Sequence, residues 1–459
     1  MYFWKHFNYQ NIKSIFVKQI NDLKNNPKII FQKLKTFISL LYRLIFLPIN
    51  LSIILFIVII NRFFLIRIGF HKSKWLGTWL MSSEIYLQEK KKNKIKSLDI
   101  FIIDKVVANQ LVYKKIKNKI ITIPFIFHDI FKILTYLKYK NNYFVKFIAR
   151  RKALNLNDIN YNNKDDSLAQ FQLEHKNFYY MNYNNQAIDT EQVLVQTEVE
   201  LSLNYKEIEK GKKILSENVK KDYKGVVLLC VRNSDYYKSK FPDFDAKFMT
   251  YRDYNLSEFI PAANYLTSKG YLVIRMGYNL EKLEVNNDLI IDYSHANWRS
   301  ELMDYYLGYA CDFCISTAFG ADSFARLHRK PMGLVVSNLD ELYYLNDQIT
   351  HIFSHIKKKN IEGYLSLREI FENKMNITKN IQAIDKTNFE IVKNSSEEIK
   401  DLAIEVTQKF EKSYEIKKNE IELQNNFWDI YFNYKKKITK VPKLKYRLVN
   451  SFLKKNYEN

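Results

Sequence analysis

The 459-residue chain is short of cysteine, glycine and proline, with 3 Cys, 10 Gly and 7 Pro. An odd count of three thiols in so long a chain (Cys230, Cys311, Cys314) excludes a disulfide scaffold and fits a reducing compartment. So few Gly and Pro in a chain that is 47% hydrophobic exclude a collagen-like, low-complexity or wholly disordered protein. Fingerprints are missing too: there is neither GxGxxG nor GxxxxGK[ST], and no Asp-x-Asp follows a strand. Asp243 and Asp245 in FPDFD have that spacing, but in a loop with no strand before it. Acidic residues are scarce at one end. Residues 1–150 hold 27 Lys/Arg against 6 Asp/Glu, whereas the other 309 hold 45 against 43.

That imbalance accounts for nearly all of the net charge of +23. A nucleic-acid enzyme would carry its basic charge around its chemistry. Here the charge flanks a greasy segment, as expected of a partner for anionic lipid, so no nucleic-acid partner is expected. Some basicity is compositional, because Lys, Asn, Ile, Tyr and Phe are abundant throughout. Leu44–Ile60 (LIFLPINLSIILFIVII) is uncharged over 17 residues, marginal for a span of about 20. It starts too far in for a cleaved signal peptide. Basic residues lie on both sides, so a single span cannot satisfy the positive-inside rule. A helix that dips in and returns, or lies in the interface, is expected, with Pro48–Asn50 as its break.

Downstream, apolar runs alternate with helix-like stretches. Phe63–Ile68, closed by Gly69, reads as a strand, as do Lys96–Asp104 and Lys119–Ile123; helices are expected over Thr78–Lys90 and Lys105–Lys117. The Asn- and Asp-rich stretch 155–197 reads as a loop or excursion. After a helix at Glu198–Lys220, a second block gives strands at Gly225–Val231, Tyr271–Met276, Leu289–Tyr293, Asp312–Ser316 and a final one at Met332–Ser337. Its helices are Ser257–Ser268, capped by Ser257, then Trp298–Ala310 and Asp322–Arg329. The expected fold is α/β: two Rossmann-like domains facing a cleft, preceded by a membrane-associated helical segment. The divisions are 1–60 (membrane-associated), 61–200 (acceptor domain), 201–410 (donor domain) and 411–459 (a basic helical tail without strands).

Open parallel sheets bind ligands outside the carboxyl ends of their strands. Polar residues stand there at Arg232-Asn233-Ser234-Asp235, at Arg275-Met276-Gly277, and in Ser316-Thr317-Ala318-Phe319-Gly320-Ala321-Asp322-Ser323. The last offers a small-residue turn and a helix N-terminus to a phosphate; Arg232 and Arg275 could supply forked donors to a diphosphate. The competing reading pairs these arginines with Asp235, Asp253 or Asp292. Cys311 and Cys314 have CxxC spacing but no second pair, so core packing is expected. His351 and His355 in HIFSHI read as one helical turn apart, with a surface or core role.

The ordered run from GVVLLCVRNSDYY through YRDYN, GYLVIRMG and DYSHANWRSELMDYYLGYACDFCISTAFGADSFARLHRKPMGLVVSN to NSSEEIKDLA resembles bacterial glycosyltransferases of surface-carbohydrate gene clusters. A weaker echo lies in FFLIRIGFHKSKWLGTWLMSSEIYL. The resemblance implies a GT-B arrangement with a nucleotide-sugar donor in the C-terminal half and no bound metal or cofactor. By likeness to fucosyltransferases it implies Arg232 and Arg275 on phosphate, Ser316, Thr317, Gly320 and Ser323 as the phosphate turn, and Gly277 and Asn338 beside the donor. Relatives carry a Gly-His pair where this chain reads Gly77-Thr78, so another acceptor base is needed. Glu84, matching a family glutamate, is the first choice and Asp253 the second, with Arg232 also catalytic. A cytoplasm-facing membrane enzyme acting on a glycan or lipid-linked acceptor follows; the alternative is a non-catalytic, membrane-tethered assembly protein of the same fold.

Overall fold

In the computed structural model, residues 29–60, 63–64, 66–92, 94, 96–130, 180–181, 193–240, 247–278, 281–339, 348–376, 378–435 and 447–457 are described. Most of the expected 155–197 loop and the Asp243/Asp245 pair lie outside them.

The described chain opens with one long helix, α1 (Ile29–Ile60). The break expected at Pro48–Asn50 is absent: Pro48 sits inside an uninterrupted helix, and Ser52 Oγ donates to its carbonyl at 3.0 Å. Five residues then lead into β1 (Ile66–His71), which contains Gly69 rather than ending at it. With α2 (Leu76–Lys92), β2 (Leu98–Ile103), α3 (Gln110–Lys117), β3 (Ile121–Ile123) and β4 (Tyr180–Met181), β1 builds a parallel sheet in the order β3-β2-β1-β4. α3 starts later than expected because Asn109 caps it, its side chain accepting from Val112 N–H at 2.9 Å.

Each face of this sheet has its own partner. Ile66, Ile68, Phe70 and Ile102 pack under Ile54 and Ile57 of α1. Phe101 joins Trp79, Leu80 and Met81 of α2 in a core that continues into the C-terminal half. The outer side of α1 has no such cover: Leu44 and Ile45 are 62% and 69% exposed, and Leu51, Leu55 and Phe56 are exposed as well. Its 17 uncharged residues are about 25 Å long at helical rise, short of a hydrocarbon layer. Among the described residues no helix is long and apolar enough to cross a membrane.

The C-terminal half begins with α4 (Tyr205–Asn218), closed at its start by a reciprocal Asn204–Glu207 capping box. β5 (Gly225–Cys230), α5 (Ile260–Ser268), β6 (Tyr271–Arg275), β7 (Ile290–Ile291), α6 (Glu301–Ala310), β8 (Phe313–Ser316), α7 (Ser323–Leu327), β9 (Met332–Val336) and β10 (Ile349–Phe353) follow. Apart from Gly225, β5 is buried along its length, which is why it reads as an unbroken apolar run. α5 is entered through a 3₁₀ turn at Leu256–Phe259, so Ser257 is not its cap.

The strand expected to be last is followed by four more. β11 (His355–Lys358) pairs antiparallel with β12 (Phe389–Val392), ahead of α8 (Ser396–Phe410). The tail is not purely helical either: α9 (Lys418–Lys435) and α10 (Asn450–Tyr457) flank β13 (Arg447–Leu448), which pairs with β10. Phe427, Trp428, Leu448 and Phe452 are buried in the main core, so this tail packs against the body of the chain.

The larger sheet is wholly parallel among its described pairs, in the order β13-β10-β9-β8-β5-β6-β7. The chain lays β6 and β7 to one side of β5, then returns to place β8, β9 and β10 on the other. That reversal is a doubly wound switch point, and its crevice opens at the carboxyl ends of β5 and β8.

Candidate functional site

Three segments meet at that crevice: the turn after β5, the turn after β8, and the YRDYN run. Thr317 N–H donates to the Cys230 carbonyl at 2.9 Å, and Arg232 N–H donates to Thr317 Oγ1 at 2.8 Å. The Arg232 side chain is buried, with Nη1 2.6 Å from Asp253 Oδ1. Ser234 Oγ donates to the other Asp253 oxygen, and Tyr254 N–H to the Arg232 carbonyl at 3.1 Å. Asp253 keeps 24% of its side chain exposed. Arg252, its neighbour, donates from Nη2 to the Ala318 carbonyl. Ala318 is a non-glycine residue at φ +56°, a conformation L-residues adopt only at a cost of about 1–2 kcal/mol. Such strain, held in place by surrounding bonds, is commonly found at functional turns.

Within the 316–323 turn, Ser316 Oγ donates to Asp322 Oδ2 at 2.6 Å and accepts from Ala318 N–H at 3.0 Å. Phe319 N–H donates to the same Asp322 oxygen at 3.0 Å. Ser323 Oγ donates to the Gly320 carbonyl at 2.6 Å. The turn thus holds a carboxylate of its own. Burial pushes the Asp322 pKa up against the hydrogen bond from Ser316 and the nearby charges of Arg326 and Arg252.

Gly320 also marks the approach of the N-terminal domain. A Cβ on Gly77, in the first turn of α2, would lie 3.0 Å from Gly320 Cα, so a larger residue would need the two backbones to move apart by a few tenths of an ångström. Thr78 is the next residue of α2.

Several expected residues have other duties. Arg275 does not face the turn: Nη1 bonds the Glu281 carbonyl at 3.0 Å and Asp292 Oδ2 at 3.2 Å, on the β7 side of the sheet. Asp292 draws it there because it already gathers Leu283 N–H at 2.8 Å and Ser294 Oγ at 2.6 Å. Burial works to raise the Asp292 pKa, and these donors together with Arg275 outweigh it and lower the value. The competing reading of the sequence holds for this pair. Gly277, at φ +112°, makes the turn out of β6, and Asn338 is buried just after β9.

Glu84 is unsuited to the role of acceptor base. It is 0% exposed and accepts from Arg329 Nη2 at 3.0 Å, Gln88 Nε2 at 2.8 Å, and the N–H groups of Glu200 and Leu201 at 3.1 and 3.0 Å. It ties α2, the inter-domain connection and the C-terminal half together.

His328, His351, His355 and the three cysteines have structural places. His328 packs against Tyr305 at a tilt and edge-on to Tyr309, and burial pushes its pKa down to about 4. His351 and His355 lie on β10 and β11 instead of a shared helix; His355 Nε2 meets Glu398 Oε1 at 2.9 Å. All three cysteines are buried, and desolvation raises their thiol pKa values. Among the described residues no group of three or more His, Cys, Asp or Glu could hold a metal ion.

Two residues at or beside the crevice are not singled out by the sequence, Arg252 and Tyr278. Each adjoins a residue that the sequence does single out, Asp253 and Gly277, so position along the chain is signal enough to include them.

No protein-family model matches the chain, and no curated protein does. Among solved structures it is similar to a glycosyl transferase family 9 protein from Veillonella parvula DSM 2008, with 10% identity, a TM-score of 0.40, and 75% of this chain and 96% of that one covered. It is also similar to the E. coli ADP-heptose lps heptosyltransferase II, with 14% identity, a TM-score of 0.38, and 70% and 99% covered. Both scores lie below 0.5, so the functional reading is built on this chain's own residues.

Proposed function

We propose that the chain is a glycosyltransferase of GT-B type. It would bind a nucleotide-diphosphate sugar in the β5/β8 crevice and pass the sugar to a glycan or lipid-linked precursor on the side of the N-terminal sheet. The observation that carries this reading is the switch point itself. Reversal of strand order opens a crevice there, and Arg232, Arg252 and the strained Ser316–Ser323 turn are stitched across it.

In this reading the positive groups offset charge on the departing nucleotide diphosphate, and fixed donors do so without reorganising. Arg232 is the principal group, aimed by Asp253 and by its own main-chain bond to Thr317. Thr317, Ser316, Gly320 and Ser323 shape the turn, and Asn338 follows the neighbouring strand β9. With Glu84 committed to structure, Asp253 is the remaining carboxylate for proton removal from the acceptor hydroxyl. No metal or other cofactor has a part in this scheme. The exposed face of α1 would hold the protein on the cytoplasmic face of the membrane, where basic flanks meet anionic lipid.

One observation favours a second reading, a non-catalytic assembly protein of the same fold. Asp322 already fills the turn with a carboxylate, and Arg232 already has Asp253. A thermal-shift panel of GDP, UDP, dTDP and CMP and their sugars separates the two. Ligand at 100 times its Kd adds about 2.7 kcal/mol, so GDP or UDP compounds should raise Tm, and Arg232→Ala should abolish the rise. No rise with any nucleotide would leave the non-catalytic reading.

A further inference from the structure

Beside the crevice, on its β6 side, the carboxyl ends of three neighbouring strands converge on one half-buried ring. Tyr278 follows directly on Gly277 where the chain leaves β6. From the short helix Asp235–Lys240 that directly follows β5, Tyr236 meets it edge-on with ring centroids 5.9 Å apart, and Ser239 Oγ is 2.8 Å from the Tyr278 hydroxyl. Lys240 Nζ from the same helix lies over the ring at 5.5 Å, and Arg299, beyond β7, places Cζ over it at 5.9 Å.

An aromatic ring fixed by its hydroxyl and its edge, carrying cations on its surface, suits a flat π-system that ends in negative charge. We infer that Tyr278 is the stacking platform for the base of a nucleoside diphosphate, with Arg299 and Lys240 as the cations beside it. The inference rests on the donor reading above and adds to it the residue that grips the base.

The spacing agrees. β6 and β8 stand two strands apart, about 10 Å, with Arg232 at the end of the strand between them. A base on Tyr278 therefore leaves its diphosphate at the Arg232 and Ser316–Ser323 end of the crevice. Lys240 is exposed, so its ammonium is free to swing from the ring to the phosphates as the base arrives.

Calorimetric titration of the full chain with GDP, UDP and inorganic pyrophosphate tests this. Base–aromatic stacking is lost on substitution by alanine, so Tyr278→Ala should weaken the tighter-binding nucleoside diphosphate by about tenfold and leave pyrophosphate affinity unchanged. Tyr278→Phe should keep the affinity, which shows that the ring acts rather than the fold around it. Equal weakening of both ligands in Tyr278→Ala, or weakening of neither, would overturn the platform while leaving the donor reading intact. Failure of the unsubstituted protein to bind nucleotide or pyrophosphate would overturn both.

Discussion

Replacing Glu84 with alanine separates a structural role from a catalytic one. The side chain is wholly buried and receives four donors: Arg329 Nη2, Gln88 Nε2 and two backbone N–H groups of the inter-domain connection. Arg329 keeps only 16% of its side chain exposed, so its guanidinium would lose its carboxylate where water hardly reaches. Removing one partner of such a pair costs about 3–5 kcal/mol. Each backbone donor left buried and unmet adds about 1–3 kcal/mol where water cannot replace the carboxylate. We expect Glu84→Ala to lose at least 3–5 kcal/mol, which at about 1 °C per kcal/mol for a chain of 459 residues is a fall in Tm of about 3–5 °C or more by calorimetry. Glu84→Ala/Arg329→Met, which removes the stranded charge as well, should recover part of that loss. A Tm within 2 °C or so of the unsubstituted protein, with transfer abolished, would refute the structural assignment and restore Glu84 as a base.

Other consequences are simpler to measure. Glu398 is pulled by His355, Ser395 and Asn394 to a pKa of about 2, although its burial works the other way. Its stabilising contribution is therefore complete above the ordinary value of 4.5 and is lost as pH falls towards 2; Glu398→Gln should flatten that acid limb in chemical denaturation. Leu44→Glu/Ile45→Glu places charge on the uncovered side of α1. It should abolish sedimentation with vesicles of phosphatidylglycerol and phosphatidylethanolamine and move Tm by no more than a degree or two; retained sedimentation would remove α1 as the membrane contact.

The sequence made the central strands legible because they are buried on both faces: GVVLLC, YLVIR and MGLVV each read as unbroken apolar runs and each is a strand. Elements away from the sheet's centre were harder. ITHIF and HIKK mix polar and apolar residues at short range, and β13 is two residues long within a basic tail, so neither period nor length marked them. α1 runs through Pro48 because a proline removes one hydrogen bond without forcing a reversal. At the site, the segments were visible but the partners were not. Arg232 finds Asp253 21 positions away, Arg275 finds Asp292 17 away, and Glu84 finds Arg329 245 away. Local pattern showed which residues stand at strand ends; only the fold shows which of them are already engaged.

The most direct measurement is photolabelling of the full chain with an azido-purine and an azido-pyrimidine nucleoside diphosphate, followed by peptide mapping. Binding in the β5/β8 crevice predicts label on peptides around Tyr236–Lys240, Tyr278 and Ser316–Arg326, suppressed by excess unlabelled nucleotide and lost in Arg232→Ala. Label confined to the N-terminal sheet, or none that competes, would contradict the account.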